Sequence, residues 1–205
     1  MFKGSSEWLN YYSSTLKQKG TKKIAKSTGK AFEQNWKNSV PENVFCYKPP
    51  DASQSFNMSS NLRFSHRSPC DYMMFDGYIF YTLELKSFEG ACNFERTKED
   101  KGIIHWYQIE SLKKFATYKN VCSGFILDFR KTDNTYFLNI NEWDNLVHSI
   151  NKKSFNEDDM KTYCQPIIIN KRKLKVNYRY DVKKFLEDMK LHMTNTNQII
   201  KNHAS

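Results

Sequence analysis

Two periods of apolar positions alternate along this chain, and the switches between them mark out its elements. In "TGKAFEQNWKNSV" (28–40), Phe32, Trp36 and Val40 recur every fourth residue, Thr28 stands as a cap and Pro41 follows, which predicts a short helix. A period of two takes over in "CDYMMFDG" and "YIFYTLELKSF" (70–88), two strands joined at an Asp76-Gly77 hairpin signal in which Asp76 is a turn residue. The helical period returns from about Ile103 to Tyr118, with Ile104, Ile109, Leu112, Phe115 and Ala116 as its stripe. "CSGFILDF" and "TYFLNI" predict two further strands. After "NEWDNLVHSI" come a polar acidic stretch, then "QPIIINKRKLKVNY" and a closing helix, "DVKKFLEDMKLHM", with Val182, Phe185, Leu186 and Met189 on one side. No segment repeats another. This order of helix, hairpin, helix and strand pair predicts a single mixed α/β domain with a central sheet flanked by helices.

Three stretches fall outside that pattern. Residues 1–30 carry Lys3, Lys17, Lys19, Lys22, Lys23, Lys26 and Lys30 against Glu7 alone, and read as a loosely ordered basic arm ahead of a domain over 31–195. Residues 48–69, "KPPDASQSFNMSSNLRFSHRSP", form a long polar connection, unusual inside a compact domain unless the loop is functional; Arg63, His66 and Arg67 surround Phe64 there. Residues 196–205 read as a polar tail.

Composition narrows the possible functions. With 205 residues the chain has room for one domain with a proper core, and 39% hydrophobic with 15% aromatic residues exclude a disordered basic tail. Its 32 basic and 22 acidic residues leave a net charge of +10, with pI about 9.3, which points to a polyanionic partner, most often nucleic acid. No run is long and apolar enough to cross a bilayer, and "MFKGSSEWLNYYSS" lacks the apolar core of a signal peptide, so a cytoplasmic location without membrane contact is expected. Cysteines at 46, 70, 92, 122 and 164 are odd in number and show no CxxC spacing, which argues against a disulfide framework and a structural zinc.

The chemistry concentrates in the 70–88 hairpin. Alternation places Tyr78, Phe80, Thr82, Glu84 and Lys86 on one face of the second strand, so this face turns from aromatic to charged, as where a strand emerges from a core into a cleft. An exposed ion pair on an edge strand is the bland reading of Glu84 and Lys86. Folding the hairpin, however, can bring Asp71 beside Glu84. Two carboxylates supply the hard oxygen ligands that Mg²⁺ demands, and an adjacent lysine can orient water or stabilise charge on a phosphoryl group: together, a phosphodiesterase unit. Gln108 sits at the edge of the second helix's stripe, where a polar boundary residue is the bland reading. His105 reads as a hydrogen-bonded structural residue.

"CDYMMFDGYIFYTLELKSF" resembles the PD-(D/E)XK nuclease signature, an acid, a hairpin and then E-x-K, with Pro69, Cys70 and Asp71 near the P-D half. Residues from about 29 to 190 further resemble the RecU-type Holliday junction resolvases of Gram-positive bacteria and their phages. The matching pieces are "GKAFEQNW", "YKPPDASQSF", the D and E-L-K pair, "IIHWYQIESLKKF", "GFILDFRKTDNTYFLNINEW" and "CQPIIINKRKLKVNYRYDVKKFL", in that order. The resemblance implies a restriction-endonuclease-like fold with a protruding stalk at about 50–68, and a homodimer that nicks paired strands of a four-way DNA junction. It also implies Mg²⁺, with Mn²⁺ as a substitute, held by Asp71, Glu84 and Glu33; a catalytic set of Asp71, Glu84, Lys86, Gln108 and Glu33; and a recombinase as a further partner. Taken alone, Glu33 on a helix with Gln34, Asn35 and Lys37 reads equally as facing solvent.

Two basic segments are expected to meet DNA: Arg63, Phe64, His66 and Arg67 in the long connection, and Lys171, Arg172, Lys173, Lys175 and Arg179 beside Tyr178 and Tyr180. A restriction-like or repair endonuclease would use the same acidic residues on another DNA target. A non-catalytic DNA-binding protein would keep the basic segments and owe nothing to the acids.

Overall fold

The computed structural model describes residues 28–50 and 68–203. The basic arm, and the long connection with Arg63, Phe64, His66 and Arg67, lie outside the described residues.

Helix α1 covers 28–37, and a turn delivers the chain to β1 (Phe45–Tyr47). Strands β2 (Tyr72–Phe75) and β3 (Phe80–Phe88) form the expected hairpin. At its turn Gly77 takes φ 90°, a conformation costly for any residue with a Cβ, while the Asp76 Oδ1 accepts the N–H groups of Tyr78 and Ile79 at 2.8 Å each. Beyond the short β4 (Cys92–Asn93) come α2 (Trp106–Ala116), β5 (Val121–Phe129) and β6 (Asn134–Asn139). Then follow a 3-10 turn (Ile140–Glu142), α3 (Trp143–Ser149), β7 (Ser154–Phe155), α4 (Glu157–Tyr163), β8 (Ile167–Ile168), the pair β9 (Lys171–Lys173) and β10 (Tyr178–Tyr180), and α5 (Val182–His203).

The central sheet has six strands in the order β1-β2-β3-β5-β6-β8. It is mixed: β3 and β5 run parallel, joined through α2 as the crossover, and every other neighbour pair is antiparallel. Helices cover both faces, so β3 and β5 are largely buried on both sides, and the polar residues they carry, Thr82, Glu84, Ser123 and Asp128 among them, are enclosed with the apolar ones. Tyr81, Leu83, Leu85, Ile126 and Phe137 pack with Phe32 and Trp36 of α1 and Phe185 of α5. Phe88, Phe125, Leu127 and Leu138 pack on the opposite face with Ile109 and Leu112 of α2, Trp143 of α3 and Met160 of α4. The expected single α/β domain with a central mixed sheet is thus observed.

Two parts depart from the sequence reading. The polar acidic stretch holds a helix, α4, whose start is fixed by a reciprocal cap: Asp159 N–H donates to the Asn156 side chain at 2.8 Å, and Asn156 N–H to the Asp159 carboxylate at 2.9 Å. Acids in the first turn complement the helix dipole, so acidity here marks a helix start. The segment read as a polar tail from 196 continues α5 to His203.

Glu157 staples α4 to the sheet. Its carboxylate accepts from Tyr136 Oη at 2.7 Å, Asn134 Nδ2 at 2.9 Å, Lys161 Nζ at 2.5 Å and the Thr132 hydroxyl. Burial pulls its pKa upward, but these donors outweigh burial and hold it down at about 2. The folded value is below the unfolded one, so its stabilisation is complete above the usual glutamate range and fades as pH falls through it toward about 2. Glu157→Gln should therefore lower the denaturant midpoint at neutral pH, and the gap from the native chain should close as urea melts are repeated down to pH 2.5.

Candidate active site

The geometry starts from backbone pairing. Tyr72 is registered with Leu83, so Asp71, one residue before β2, reaches the β3 backbone around Glu84. Its N–H donates to the Leu83 carbonyl at 3.0 Å, and its Oδ2 accepts the Leu85 N–H at 2.8 Å. The Asp71 carboxyl lies close enough to Glu84 to raise its pKa. Lys86, two residues along the same face, donates its Nζ to Glu84 Oε1 at 2.9 Å.

Glu84 and Lys86 are not on an exposed edge. Glu84 is 2% exposed and the Lys86 side chain 14%, because β3 is central and α2 lies over this face. Gln108 of α2 completes the set: its Oε1 accepts the His105 N–H at 2.9 Å, which orients the amide so that its Nε2 donates to Glu84 Oε1. The start of α2 is positioned by Glu95, which accepts from His105 Nδ1 at 2.8 Å and Trp106 N–H at 2.7 Å. His105 is thus hydrogen-bonded as the sequence suggests, and its ring stacks on Tyr107 at 5.6 Å between centroids.

Burial raises the pKa of both acids. For Asp71 the Leu85 N–H and the Lys86 ammonium offset part of that rise, and Glu33 adds to it. For Glu84 burial and the neighbouring Asp71 outweigh Lys86 and push the carboxyl up to about 7. Burial acts on Lys86 in the opposite sense, but Glu84 and Asp71 overcome it and hold its pKa above the usual range. The nearby Cys70 thiol is pushed up to about 12 by burial and by Glu84 and Asp71, so it is no nucleophile. Two ionised carboxylates against one ammonium leave an uncompensated negative charge in a buried site. A proton or a cation relieves that imbalance, and two hard oxygen donors are the ligand type Mg²⁺ takes, since it is held through one or two carboxylates with substrate oxygens and water.

The third expected ligand, Glu33, is engaged by a lysine. Among the described residues no three His, Cys, Asp or Glu side chains form a group able to hold a metal ion. Glu33 lies near enough to raise the Asp71 pKa, but its carboxylate pairs with Lys48, whose Nζ also stands 5.9 Å from the Tyr72 ring centroid. Lys48 and Tyr107, the latter close enough to act on the charge of Lys86, were missed in the sequence. The lysine before the double proline was the available signal for the first; Tyr107 had none.

Of the second basic segment, Arg172, Lys173, Lys175 and Arg179 are exposed, and Arg179 reaches the Asn38 carbonyl. Lys171 is a correction. Its side chain is 7% exposed, its Nζ lies 2.8 Å from Asp128 and 2.9 Å from Asp133, and the Tyr178 ring centroid is 4.7 Å away. Its charge is spent inside the protein. Tyr180 is likewise buried, against Phe32 and Trp36, rather than free to stack on a base. A cleft lined by Val121, Cys122, Phe137 and His192 opens at the start of β5, the other end of the sheet from Lys86, and none of the carboxylate-site residues lines it.

No family model matches the chain. A curated relative, the SPbeta prophage-derived uncharacterized protein YotM of Bacillus subtilis (strain 168), is 28% identical over 177 residues, 80% of this chain and 88% of that protein. Among solved structures, Archaeoglobus fulgidus Hjc, a Holliday junction resolvase from an archaeal hyperthermophile, aligns with a TM-score of 0.40 at 16% identity, over 67% of this chain and 95% of that one. No described helix is long and apolar enough to cross a membrane.

Because Lys86 opposes the rise in the Glu84 pKa, Lys86→Met should move the Glu84 carboxyl titration further above about 7. Carboxyl ¹³C NMR across pH 5–10 reads this directly; an unmoved midpoint would mean that burial and Asp71 set it without Lys86.

Proposed function

We propose that this protein is a divalent-metal-dependent endonuclease of the PD-(D/E)XK type that hydrolyses phosphodiester bonds in DNA, and that its substrate is the four-way junction. The observation that carries the reading is the buried Asp71–Glu84–Lys86 set, two acids and one cation with an unbalanced negative charge, on the central strand and held in place by Gln108. A solvated surface ion pair needs no such burial.

Asp71 and Glu84 are the residues that would hold Mg²⁺ or Mn²⁺, which when bound supplies Lewis acidity toward a phosphate oxygen and eases ionisation of the attacking water. Lys86 places an ammonium where charge develops on the phosphoryl oxygens in the transition state. It also orients the attacking water. Gln108 fixes the Glu84 carboxyl, so the ligand is preorganised before substrate arrives. Glu33, through Lys48, tunes the field at Asp71 from α1 rather than completing a carboxylate triad.

The net charge of +10 and the exposed Arg172, Lys173, Lys175 and Arg179 support a DNA substrate, and the ordered motif resemblance to RecU-type resolvases supports a branched one. An open four-way junction is two-fold symmetric, so paired nicks require two sites related by a dyad; a homodimer meets that geometry.

Asp71→Asn should abolish junction cleavage in Mg²⁺ while leaving junction affinity in gel shift nearly intact, since it removes a ligand and no positive surface. Cleavage surviving in this variant, or in the native chain under EDTA, would sink the metal assignment. Lys86→Ala should slow single-turnover cleavage by on the order of a hundredfold at saturating Mg²⁺. Recovery of the rate by further Mg²⁺ would show instead that Lys86 sets metal affinity alone.

A further inference from the structure

The hairpin of β9 and β10 combines three features. Its base is rigid. Lys171 is locked between Asp128 and Asp133 under the rings of Tyr178 and Tyr180, and Asp128 is further held by Ser87 Oγ at 2.8 Å and Thr135 Oγ1 at 2.9 Å. From the other side, Tyr180 N–H donates to Ser39 Oγ at 2.9 Å and its ring packs on Phe32 of α1.

Its tip is exposed and apolar. The turn closes with Leu174 N–H donating to the Asn177 carbonyl at 2.7 Å, and the residues it presents are Leu174, 41% exposed, and Val176, 86% exposed. Leaving these side chains in water forgoes the burial free energy they would gain elsewhere. Its flanks are cationic: Arg172, Lys173 and Lys175 are all exposed around those two residues.

Its position is tied to the acids. Asp128, which holds Lys171, is registered with Ser87 in the parallel β3–β5 pair, and Ser87 directly follows Lys86. The hairpin thus roots at the same end of the central strands as the carboxylate site, on the opposite sheet face, and its three-residue arms carry the tip about 10 Å beyond Lys171 at ~3.3 Å per residue.

We propose that this hairpin is a DNA wedge: Arg172, Lys173 and Lys175 grip phosphates while Leu174 and Val176 insert against unstacked bases at the branch point. The inference rests on the DNA-nuclease reading and deepens it by naming the element that meets the open junction. A nucleic acid matches both halves of the surface, anionic backbone for the cations and base faces for the apolar tip, as apolar wedges do at kinked steps. A protein partner burying Leu174 and Val176 would have to desolvate or pair the flanking lysines and arginine, so charge complementarity favours DNA.

The test uses the full chain in EDTA, with a four-way junction carrying 2-aminopurine at the branch point and a linear duplex of equal length. Native protein should raise the junction's fluorescence as the base unstacks. Leu174→Ser/Val176→Ser should bind linear duplex with unchanged affinity, because its cations remain, and lose most of that rise. A thermal melt matching the native chain excludes misfolding, and the single variant Val176→Ser, at the more exposed position, serves if the double variant melts early. A variant that raises the fluorescence as the native chain does, or a native chain that binds without any rise, overturns the wedge. Cleavage in Mg²⁺ is read in parallel. A chain that unstacks the branch point yet never cuts supports the wedge and sinks the nuclease reading, whereas one that cuts without unstacking sinks the wedge alone.

Discussion

The structure turns on keeping two adjacent carboxylates and one ammonium out of water on its central strand. Removing each charge from water costs several kcal/mol even after relaxation, so such a set persists only where the surrounding elements return hydrogen bonds with good geometry. Here the return comes from three directions. The β3 backbone supplies the Leu85 N–H to Asp71, the strand's own alternation supplies Lys86, and α2 supplies Gln108. The crossover helix between the two parallel strands is therefore more than a connection, because its first turn, fixed by Glu95, orients the amide that holds Glu84.

The same two strands carry a second buried charge cluster on their other face. Ser87 and Asp128, next in register after Lys86 and Leu127, point toward the α1 side and take up Lys171. One short length of β3 and β5 thus anchors a carboxylate site on one face and a cationic hairpin on the other. Period-two alternation produces this division, since successive residues must face opposite ways. A one-residue slip of either strand would exchange the two faces and leave both clusters unpaired.

Much of this was legible in the chain. The hairpin with its Asp76-Gly77 turn, α2, β5, β6 and the closing helix follow from apolar period and turn chemistry, which are local properties. The acid, hairpin and E-x-K spacing points to Asp71 beside Glu84 because a hairpin's pairing is set by its turn. The α4 helix was hidden by its acidity, although Asn156 and Asp159 stand at capping spacing.

What sequence alone determined is thus the mixed α/β class and the pairing of Asp71, Glu84 and Lys86, all products of interactions between residues close along the chain. Tertiary structure alone decided which charges are buried and which remain for a partner. Lys171 and Lys173 are indistinguishable in "NKRKLKV", yet one is enclosed by Asp128, Asp133 and two tyrosines while the other faces solvent. Glu33 belongs to a helix whose pattern is clear, but its pairing with Lys48 depends on where α1 meets the start of the sheet. Burial and ion pairing between residues far apart in sequence depend on how layers stack, and the charge on a side chain carries no record of the neighbour that will neutralise it.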